Sequence, residues 1–357
     1  MGAVVTGCLD VRDHALSEWE MIVAFVRQHD CSDLTFNRRN VSGKVDNRVV
    51  RLSDDDAFTK GDFEGLVRSL VSHRPDLAIK LSGPMPSLDF SVVKAGMRFR
   101  VNIVQAQGEL TASLRPLPEN PPLPKDIGFG EMAVKAITGY ASGLIILSGP
   151  TGSGKTTSMA SFIRGINETQ AVKIVTIEDP IEYEFKNVKA EIVQREVGTD
   201  CRSFAAGTRD AMRQSPNILC VGEIRDGETA KAAFYAAETG HLVFGTVHAD
   251  KILEVPSRLL NLLPTEDKGP GRYVLSKVAK AFISQRLLRL RDGGRIAARE
   301  ILLHVPVMSA LIEKGKEHEF PHLMRSHQPL GMIDLQSDLL RLRGRLAQGE
   351  YEKYKEE

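Results

Sequence analysis

A glycine-rich segment with one lysine is the clearest chemical pattern in this sequence of 357 residues. It comprises Gly149, Pro150, Thr151, Gly152, Ser153, Gly154, Lys155, Thr156 and Thr157. This order fits G-x-x-x-x-G-K-[ST], in which glycines let successive backbone N–H groups face one anion-binding concavity. Lys155 is placed to reach the β- and γ-phosphates of a nucleoside triphosphate, and the Thr156 hydroxyl to ligate Mg²⁺. The alternative, a glycine-rich turn with a chance lysine, is disfavoured because the apolar, strand-like run 144–148 precedes the segment and a helix follows it.

Carboxylates follow two other strand-like runs of the sequence. Glu178 and Glu182 come after the run 172–177, and Glu223 comes after the run 218–222. Ligands bind beyond the carboxyl ends of parallel strands, where an acid can hold the water shell of Mg²⁺ or orient the attacking water. A helix cap or a surface charge is the alternative for each acid alone, but acids after both strands favour a catalytic site. These residues by themselves leave Glu178 and Glu182 as rival candidates for the base.

Two histidines flank a third run, 242–246. His241 precedes it and His248 follows it, so the two side chains cannot contact one phosphate unless the loop folds back. A histidine at a strand end more often has a structural hydrogen-bonding role. The residues alone therefore indicate at most a sensor of the γ-phosphate.

A proline-rich segment divides the chain. Residues 115–126 contain five prolines in twelve positions, which excludes both a helix and a central strand. We predict an extended linker over 116–126, with a long surface loop inside a single domain as the alternative. The predicted domains are 1–115 and 127–357.

The predicted first domain is a small α+β unit. A helix is predicted over 19–27, short strands over 32–37 and 48–52, and a hairpin from 99–104 and 109–114.

The predicted second domain is an α/β unit with a parallel sheet covered by helices on both faces. Four apolar runs alternate there with helical segments. Beyond Arg258 the pattern predicts an almost wholly helical region, and the charged tail 349–357 is predicted to be a solvated helix end.

Composition narrows the class of protein further. Hydrophobic residues make up 42% and charged residues 26%, as in a globular protein. The formal net charge of +1 argues against attachment to nucleic acid or an anionic membrane by bulk charge. No apolar run reaches the roughly 18 residues that span a bilayer, and the N-terminus lacks the pattern of a secretory signal. Widely spaced cysteines indicate reduced thiols in a cytoplasmic protein; they are Cys8, Cys31, Cys201 and Cys220.

The motifs together resemble those of the PilT-like secretion and pilus ATPases. The matching stretches are GPTGSGKTT, TIEDPIEYEF, QREVGTD, the run from FAAGTRDAMR to GTVHAD, and ISQRLL, between residues 99 and 290. The resemblance implies a PAS-like N-terminal domain and a RecA-like ATPase domain. It also implies a homo-hexamer that binds ATP with Mg²⁺ and works on inner-membrane components of a secretion or pilus machine. Such a protein would be peripheral, at the cytoplasmic face of the inner membrane, held by protein contacts.

The resemblance also implies roles for individual residues. Glu182 matches the aspartate-box glutamate that activates water, and Glu223 matches the Walker B glutamate, a candidate for the Mg²⁺ site beside Thr156. His241 and His248 match the histidine box that couples nucleotide state to subunit contacts.

Three arginines are weaker candidates that rest on the same resemblance. Arg100 and Arg115 resemble N-terminal-domain arginines that approach the γ-phosphate. Arg195 of the QREVG stretch is another candidate for such an arginine. The alternative is that Arg100 and Arg115 are surface charges on a hairpin.

Two branches of the family remain open. The four-cysteine zinc motif of pilus-extension and type II secretion ATPases is absent from the sequence. The FAAGTRDAMR stretch and the LRPLP linker entry resemble the DotB/TraJ ATPases of type IVB secretion and conjugation, which we favour slightly over the pilus-retraction ATPases.

Two other classes of protein are less compatible with the sequence. A RecA-like nucleic-acid translocase would need basic loops with aromatic residues, and aromatic residues are only 6% of the chain. We therefore expect no direct contact with nucleic acid. A subunit that binds ATP without hydrolysing it is disfavoured by the joint presence of Lys155, Glu182 and Glu223.

Overall fold

The structure is a computed structural model that describes residues 18–37, 40–45, 48–51, 60–83 and 85–355. The chain forms two compact units, which divide between Glu119 and Asn120, inside the proline-rich segment. Cys8 lies outside the described residues, and Cys31, Cys201 and Cys220 are free thiols.

Within its described residues, the first unit is an antiparallel sheet with three helices. Its strands are β1 (Asp33–Asn37), β2 (Asn40–Val45), β3 (Arg48–Arg51), β4 (Ser87–Lys94), β5 (Met97–Ala106) and β6 (Glu109–Pro116). Its helices are α1 (Glu18–His29), α2 (Lys60–Leu70) and α3 (Pro75–Leu81). The strand order is β3-β2-β1-β6-β5-β4. The predicted helix at 19–27 and the hairpin of β5 and β6 are confirmed; the likeness to a PAS domain stays a prediction.

The second unit is a seven-stranded sheet with helices. Its strands are β7 (Gly143–Ser148), β8 (Lys173–Glu178), β9 (Glu191–Glu196), β10 (Ile218–Val221), β11 (Leu242–Val247), β12 (Ala279–Arg289) and β13 (Arg295–Leu303). Its first helices are α4 (Glu131–Gly139), α5 (Lys155–Thr169), α6 (Phe204–Met212) and α7 (Gly227–Glu238). The later helices are α8 (Val255–Asn261), α9 (Lys268–Val278), α10 (Pro306–Lys314), α11 (Phe320–Ser326) and α12 (Leu335–Leu342).

Parallel pairing brings the carboxyl ends of the central strands to one edge of this sheet. The order is β13-β12-β7-β11-β10-β8-β9, and every neighbouring pair except β12 with β13 is parallel. β7, β10 and β11 are buried along their whole length, which explains their continuous apolar sequences. Ser148 at the end of β7 pairs with Val247, so the glycine-rich segment starts beside the end of β11.

The expectation of an almost wholly helical region after Arg258 is wrong for residues 279–303. Both β12 and β13 lie there, and β12 extends the sheet by pairing with β7. Leu, Ala, Gln and Arg are good helix formers, but most of β12 is buried between layers of the domain, so tertiary packing overrides local preference.

The charged tail is not a solvated helix end. Residues 349–355 form turns, and Glu350 is only 6% exposed. Its carboxylate accepts a hydrogen bond from the Arg289 backbone N–H at 3.1 Å. Tyr351 and Tyr354 pack against a small apolar cluster that includes Leu288. The tail therefore covers the end of β12.

A buried arginine ties the start of the second unit to its sheet. Arg299 of β13 donates to the Ile127 carbonyl at 2.7 Å, and its guanidinium lies 4.0 Å from the centre of the Phe129 ring. Burial lowers the pKa of Arg299 to about 10, and the nearby charge of Asp338 opposes that shift. This contact fixes the segment that enters the domain after the prolines.

Candidate active site

Residues 149–154 form a compact loop between β7 and α5. Gly149, Gly152 and Gly154 have φ values of 143°, 76° and 86°, which side chains rarely tolerate. A Cβ atom on Gly149 would lie 2.2 Å from the carbonyl oxygen of Gln285. Glycine is therefore required at this position, and the loop wraps closely against β12.

The side chain of Gln285 holds this loop from β12. Its Nε2 donates to the Ser153 carbonyl at 2.6 Å, and its Oε1 accepts from the Ser158 hydroxyl at 2.8 Å. Gln285 is 3% exposed. A buried amide with both ends paired fixes its neighbours firmly, because leaving either group unpaired costs about 1–3 kcal/mol.

Lys155 starts α5 and points back into the loop. Its Nζ donates to the carbonyls of Gly149 at 2.8 Å and Pro150 at 2.9 Å. Burial lowers its pKa, while the negative charges of Glu223 and Asp250 oppose that shift. The ammonium group therefore lies among loop carbonyls with two carboxylates nearby, where phosphate oxygens could replace the carbonyls as acceptors.

The donors around Lys155 suit a triphosphate with Mg²⁺. The buried hydroxyl of Ser153 has no hydrogen-bond partner within the described part of the chain, and Thr156 is partly exposed in the first turn of α5. The described residues contain no group of three His, Cys, Asp or Glu that could hold a metal by itself. Mg²⁺ commonly takes one or two protein oxygens together with phosphates and water, so Thr156 and Glu223 fit it.

Glu178 and Glu182 have different surroundings. Glu178, the last residue of β8, is 7% exposed. Its Oε1 accepts hydrogen bonds from the Thr176 hydroxyl at 2.6 Å and from Gln194 Nε2 at 3.0 Å. Burial raises the pKa of Glu178, against the hydrogen bonds that it accepts. Glu182 is partly exposed. The structure thus favours Glu182 over Glu178 as the carboxylate that can reach a water molecule.

The loop that carries Glu182 is fastened to β9. Gln194 donates to the Tyr183 carbonyl at 2.8 Å and accepts from the Phe185 N–H at 2.9 Å. Glu196 accepts from the Ile181 N–H at 3.1 Å. The loop is joined to the start of α5 as well, because the Tyr183 hydroxyl donates to Thr157 Oγ1 at 3.2 Å.

Glu223 lies beyond the end of β10 and contacts one of the two predicted histidines. His248 Nε2 is 3.3 Å from Glu223 Oε1. His241 is at the other end of β11, where its Nδ1 lies 3.0 Å from the Ala236 carbonyl oxygen. The structure brings His248 to the edge of the sheet that carries the glycine-rich loop, and does not bring His241 there.

The three candidate arginines have partners in their own units. Arg100 lies 2.8 Å from Asp89 and Arg115 lies 2.9 Å from Asp33, both pairs within the first unit. Arg195 of β9 donates to the Asp200 carbonyl at 2.9 Å. The ion pairs of Arg100 and Arg115 and the hydrogen bond of Arg195 to a loop carbonyl account for the positions of these side chains. Their role at a γ-phosphate stays a prediction.

Sequence reasoning did not assign roles to Gln194, Glu196 or Gln285. All three lie in the stretches QREVGTD and ISQRLL, which belong to the family resemblance. The family motifs contain these residues, but the sequence did not predict β9 or β12. Nothing therefore indicated that these polar side chains face the loops of the site.

One family of proteins matches most of the second unit and part of the first. It is described as "Type II/IV secretion system protein", and it matches residues 87–323. The chain belongs to this family. The type IV pilus retraction ATPase PilT of Pseudomonas aeruginosa, one relative, is 38% identical over 262 residues, which cover 73% of this chain and 75% of PilT.

Solved structures of the family have the same fold. The pilus retraction motor PilT with bound ADP superposes with a TM-score of 0.83 at 35% identity, covering 94% of this chain and 96% of that one. The Legionella pneumophila ATPase DotB gives a TM-score of 0.77 at 25% identity and covers 93% of each chain. With the complete phosphate-binding loop and its carboxylates, membership of the family identifies the protein as an ATPase.

No helix in the described ranges has both the length and the hydropathy needed to cross a membrane.

Replacing Lys155 with Ala removes the cation that we expect to bind the phosphates. We expect nucleotide binding to weaken at least about tenfold, or turnover to be lost, because a charge-assisted hydrogen bond contributes about 1.5–3 kcal/mol. Titration with a fluorescent ATP analogue and a phosphate-release assay would measure both. Lys231→Ala is the matched control, since Lys231 of α7 forms an exposed ion pair with Asp267. Unchanged binding and turnover by Lys155→Ala would contradict the assignment.

Proposed function

We propose that the protein is an ATP-driven motor of a type IV pilus or type IV secretion machine. The observation that carries this proposal is the arrangement of Lys155, Glu182 and Glu223 in an ATPase fold with 35% identity to a pilus retraction motor. The proposal includes a homo-hexameric ring and docking on inner-membrane components at the cytoplasmic face through protein contacts. Neither nucleic acid nor lipid is required as a direct partner.

ATP binding in this proposal uses the N-terminus of α5. The backbone N–H groups of residues 149–154 and Lys155 would surround the phosphates, where the helix dipole also favours negative charge. Thr156 and Glu223 would hold Mg²⁺, which when bound neutralises charge on the β- and γ-phosphates.

Hydrolysis requires a base and a group that responds to the γ-phosphate. Glu182 would accept a proton from the attacking water, because its carboxylate is partly exposed and its loop is fixed at both ends. His248, which contacts Glu223, would sense the γ-phosphate. Arg100, Arg115 and Arg195 would add positive charge in the transition state, and His241 would serve subunit contacts away from the phosphates.

Two branches of the family, whose members act in different machines, are compared with this protein. The higher identity and TM-score with the retraction motor PilT favour a role in pilus retraction. The sequence features shared with DotB/TraJ ATPases favour secretion or conjugation, and that preference stays a prediction.

Glu182→Gln tests the assignment of the base. The variant retains shape and hydrogen-bonding capacity but cannot accept a proton, so we expect ATP to bind normally while kcat falls by about 10²- to 10⁴-fold. Steady-state phosphate release with separate measurement of the Kd for ATP would show this. Glu184→Gln, two residues further along and exposed, is the control. Near-normal turnover by Glu182→Gln would transfer the role of base to another carboxylate.

Ring formation is a separate expectation. Sedimentation velocity of the full chain with Mg²⁺ and an ATP analogue is expected to give a species of about six subunits, because the family resemblance implies a hexamer and a ring closes at a fixed number of subunits. A monomer at every concentration and nucleotide state tested would rule out the ring motor.

A further inference from the structure

One hydrogen bond joins the residue after the proposed base to the residue after the proposed Mg²⁺ ligand. Tyr183 follows Glu182 in the loop after β8, and Thr157 follows Thr156 in the first turn of α5. The Tyr183 hydroxyl donates to Thr157 Oγ1 at 3.2 Å. Each of the two functional side chains is therefore one residue away from a direct contact between their segments.

The side chain of Tyr183 is enclosed by the domain. Tyr183 is 5% exposed, whereas Glu182 before it is partly exposed and Glu184 after it is exposed. The tyrosine ring is thus buried while the neighbouring carboxylates remain accessible to water. Burial raises the pKa of Tyr183, so its hydroxyl keeps its proton and remains a hydrogen-bond donor at neutral pH.

Tyr183 is held at a second point by β9. Gln194 Nε2 donates to the Tyr183 carbonyl at 2.8 Å and to Glu178 Oε1 at 3.0 Å. The residue next to the proposed base is therefore fixed by β9 through its carbonyl and by α5 through its hydroxyl. Of these two contacts, the one through the hydroxyl runs to the helix that carries Lys155 and Thr156. It therefore relates the position of the base to the groups that would bind the phosphates and Mg²⁺.

We propose that Tyr183 is a positioning residue, which sets the distance from Glu182 to the phosphate-binding end of α5 through its hydrogen bond to Thr157. This inference rests on the proposed function, in which Glu182 is the base. Because Glu182 shares a peptide bond with Tyr183, a shift of the tyrosine relative to α5 moves the carboxylate relative to a bound γ-phosphate. In this role the Tyr183 hydroxyl transfers no proton and binds no nucleotide.

Tyr183→Phe tests this role because it removes the hydroxyl and leaves the ring. Displacing a reacting group by about 1 Å can cost about 10²-fold in rate, and the remaining contact with β9 limits the displacement. We therefore expect kcat to fall about 5- to 50-fold, while the KM for ATP changes less than about threefold. Steady-state phosphate release by the full chain with ATP and Mg²⁺ measures both quantities.

Tyr140→Phe is the matched control. Tyr140 is a partly buried tyrosine at the end of α4, and it precedes β7, whose other end leads into the glycine-rich loop. Loss of its hydroxyl should leave kcat unchanged, because Tyr140 lies at the edge of the sheet away from the loop.

Variants of the two partners distinguish positioning from general support of the fold. Thr157→Val removes the acceptor at similar volume, whereas Thr157→Ser keeps a hydroxyl oxygen. In the Thr157→Val background, Tyr183→Phe should change kcat by less than about twofold, because the bond is already absent. In the Thr157→Ser background it should still cost about 5- to 50-fold. In the Glu182→Gln background the loss should also be less than about twofold, because a misplaced base is no worse than an absent one.

Several results would overturn the proposal. For Tyr183→Phe alone, they are an unchanged kcat and a raised KM that accounts for the whole loss. For the double variants, they are an undiminished loss in the Thr157→Val or Glu182→Gln background and no loss in the Thr157→Ser background. If Glu182→Gln itself turns over ATP normally, the base assignment fails along with the positioning role. A slow Glu182→Gln variant beside an unaffected Tyr183→Phe variant overturns the positioning role alone.

Discussion

The buried amide of Gln285 is the contact on which the phosphate-binding loop depends. It joins β12 to the Ser153 carbonyl and to the Ser158 hydroxyl, on either side of Lys155. Without it, two buried polar groups would lose their partner, and the loop would lose the support that its tight turn at Gly149 requires. The N-terminus of α5 is thereby held beside the ends of β7 and β11, where phosphates would be bound.

The second fixed element is the loop after β8, whose peptides are held by polar side chains of the neighbouring strand. Gln194 and Glu196 bond to its peptides from β9, and Glu178 in turn accepts a hydrogen bond from Gln194. A loop with such partners can keep a partly exposed carboxylate in place without burying it. In the proposed function, the site would combine a rigid cradle for phosphates with a separately anchored base, as hydrolysis of a bound nucleotide requires.

Much of this site was predictable because its signals are local. The glycine-rich segment and the apolar runs before the acids each lie within a dozen residues, and the strands at 143–148, 173–178, 218–221 and 242–247 agree with the predictions within one residue. The contacts that hold the site were not predictable in the same way. Gln285 and Ser153 are 132 residues apart, and β12 has the composition of a helix, so only tertiary pairing shows what Gln285 does. The two carboxylates Glu178 and Glu182 differ in burial, which composition does not report, and the choice of Glu182 as the base stays a prediction.

A structure of the full chain with a non-hydrolysable ATP analogue and Mg²⁺ tests the central claim most directly. We predict that Lys155 Nζ exchanges the carbonyls of Gly149 and Pro150 for phosphate oxygens, with Glu182 facing the γ-phosphate. An analogue bound away from the glycine-rich loop, or a Lys155 that keeps both carbonyls with nucleotide present, would contradict the account.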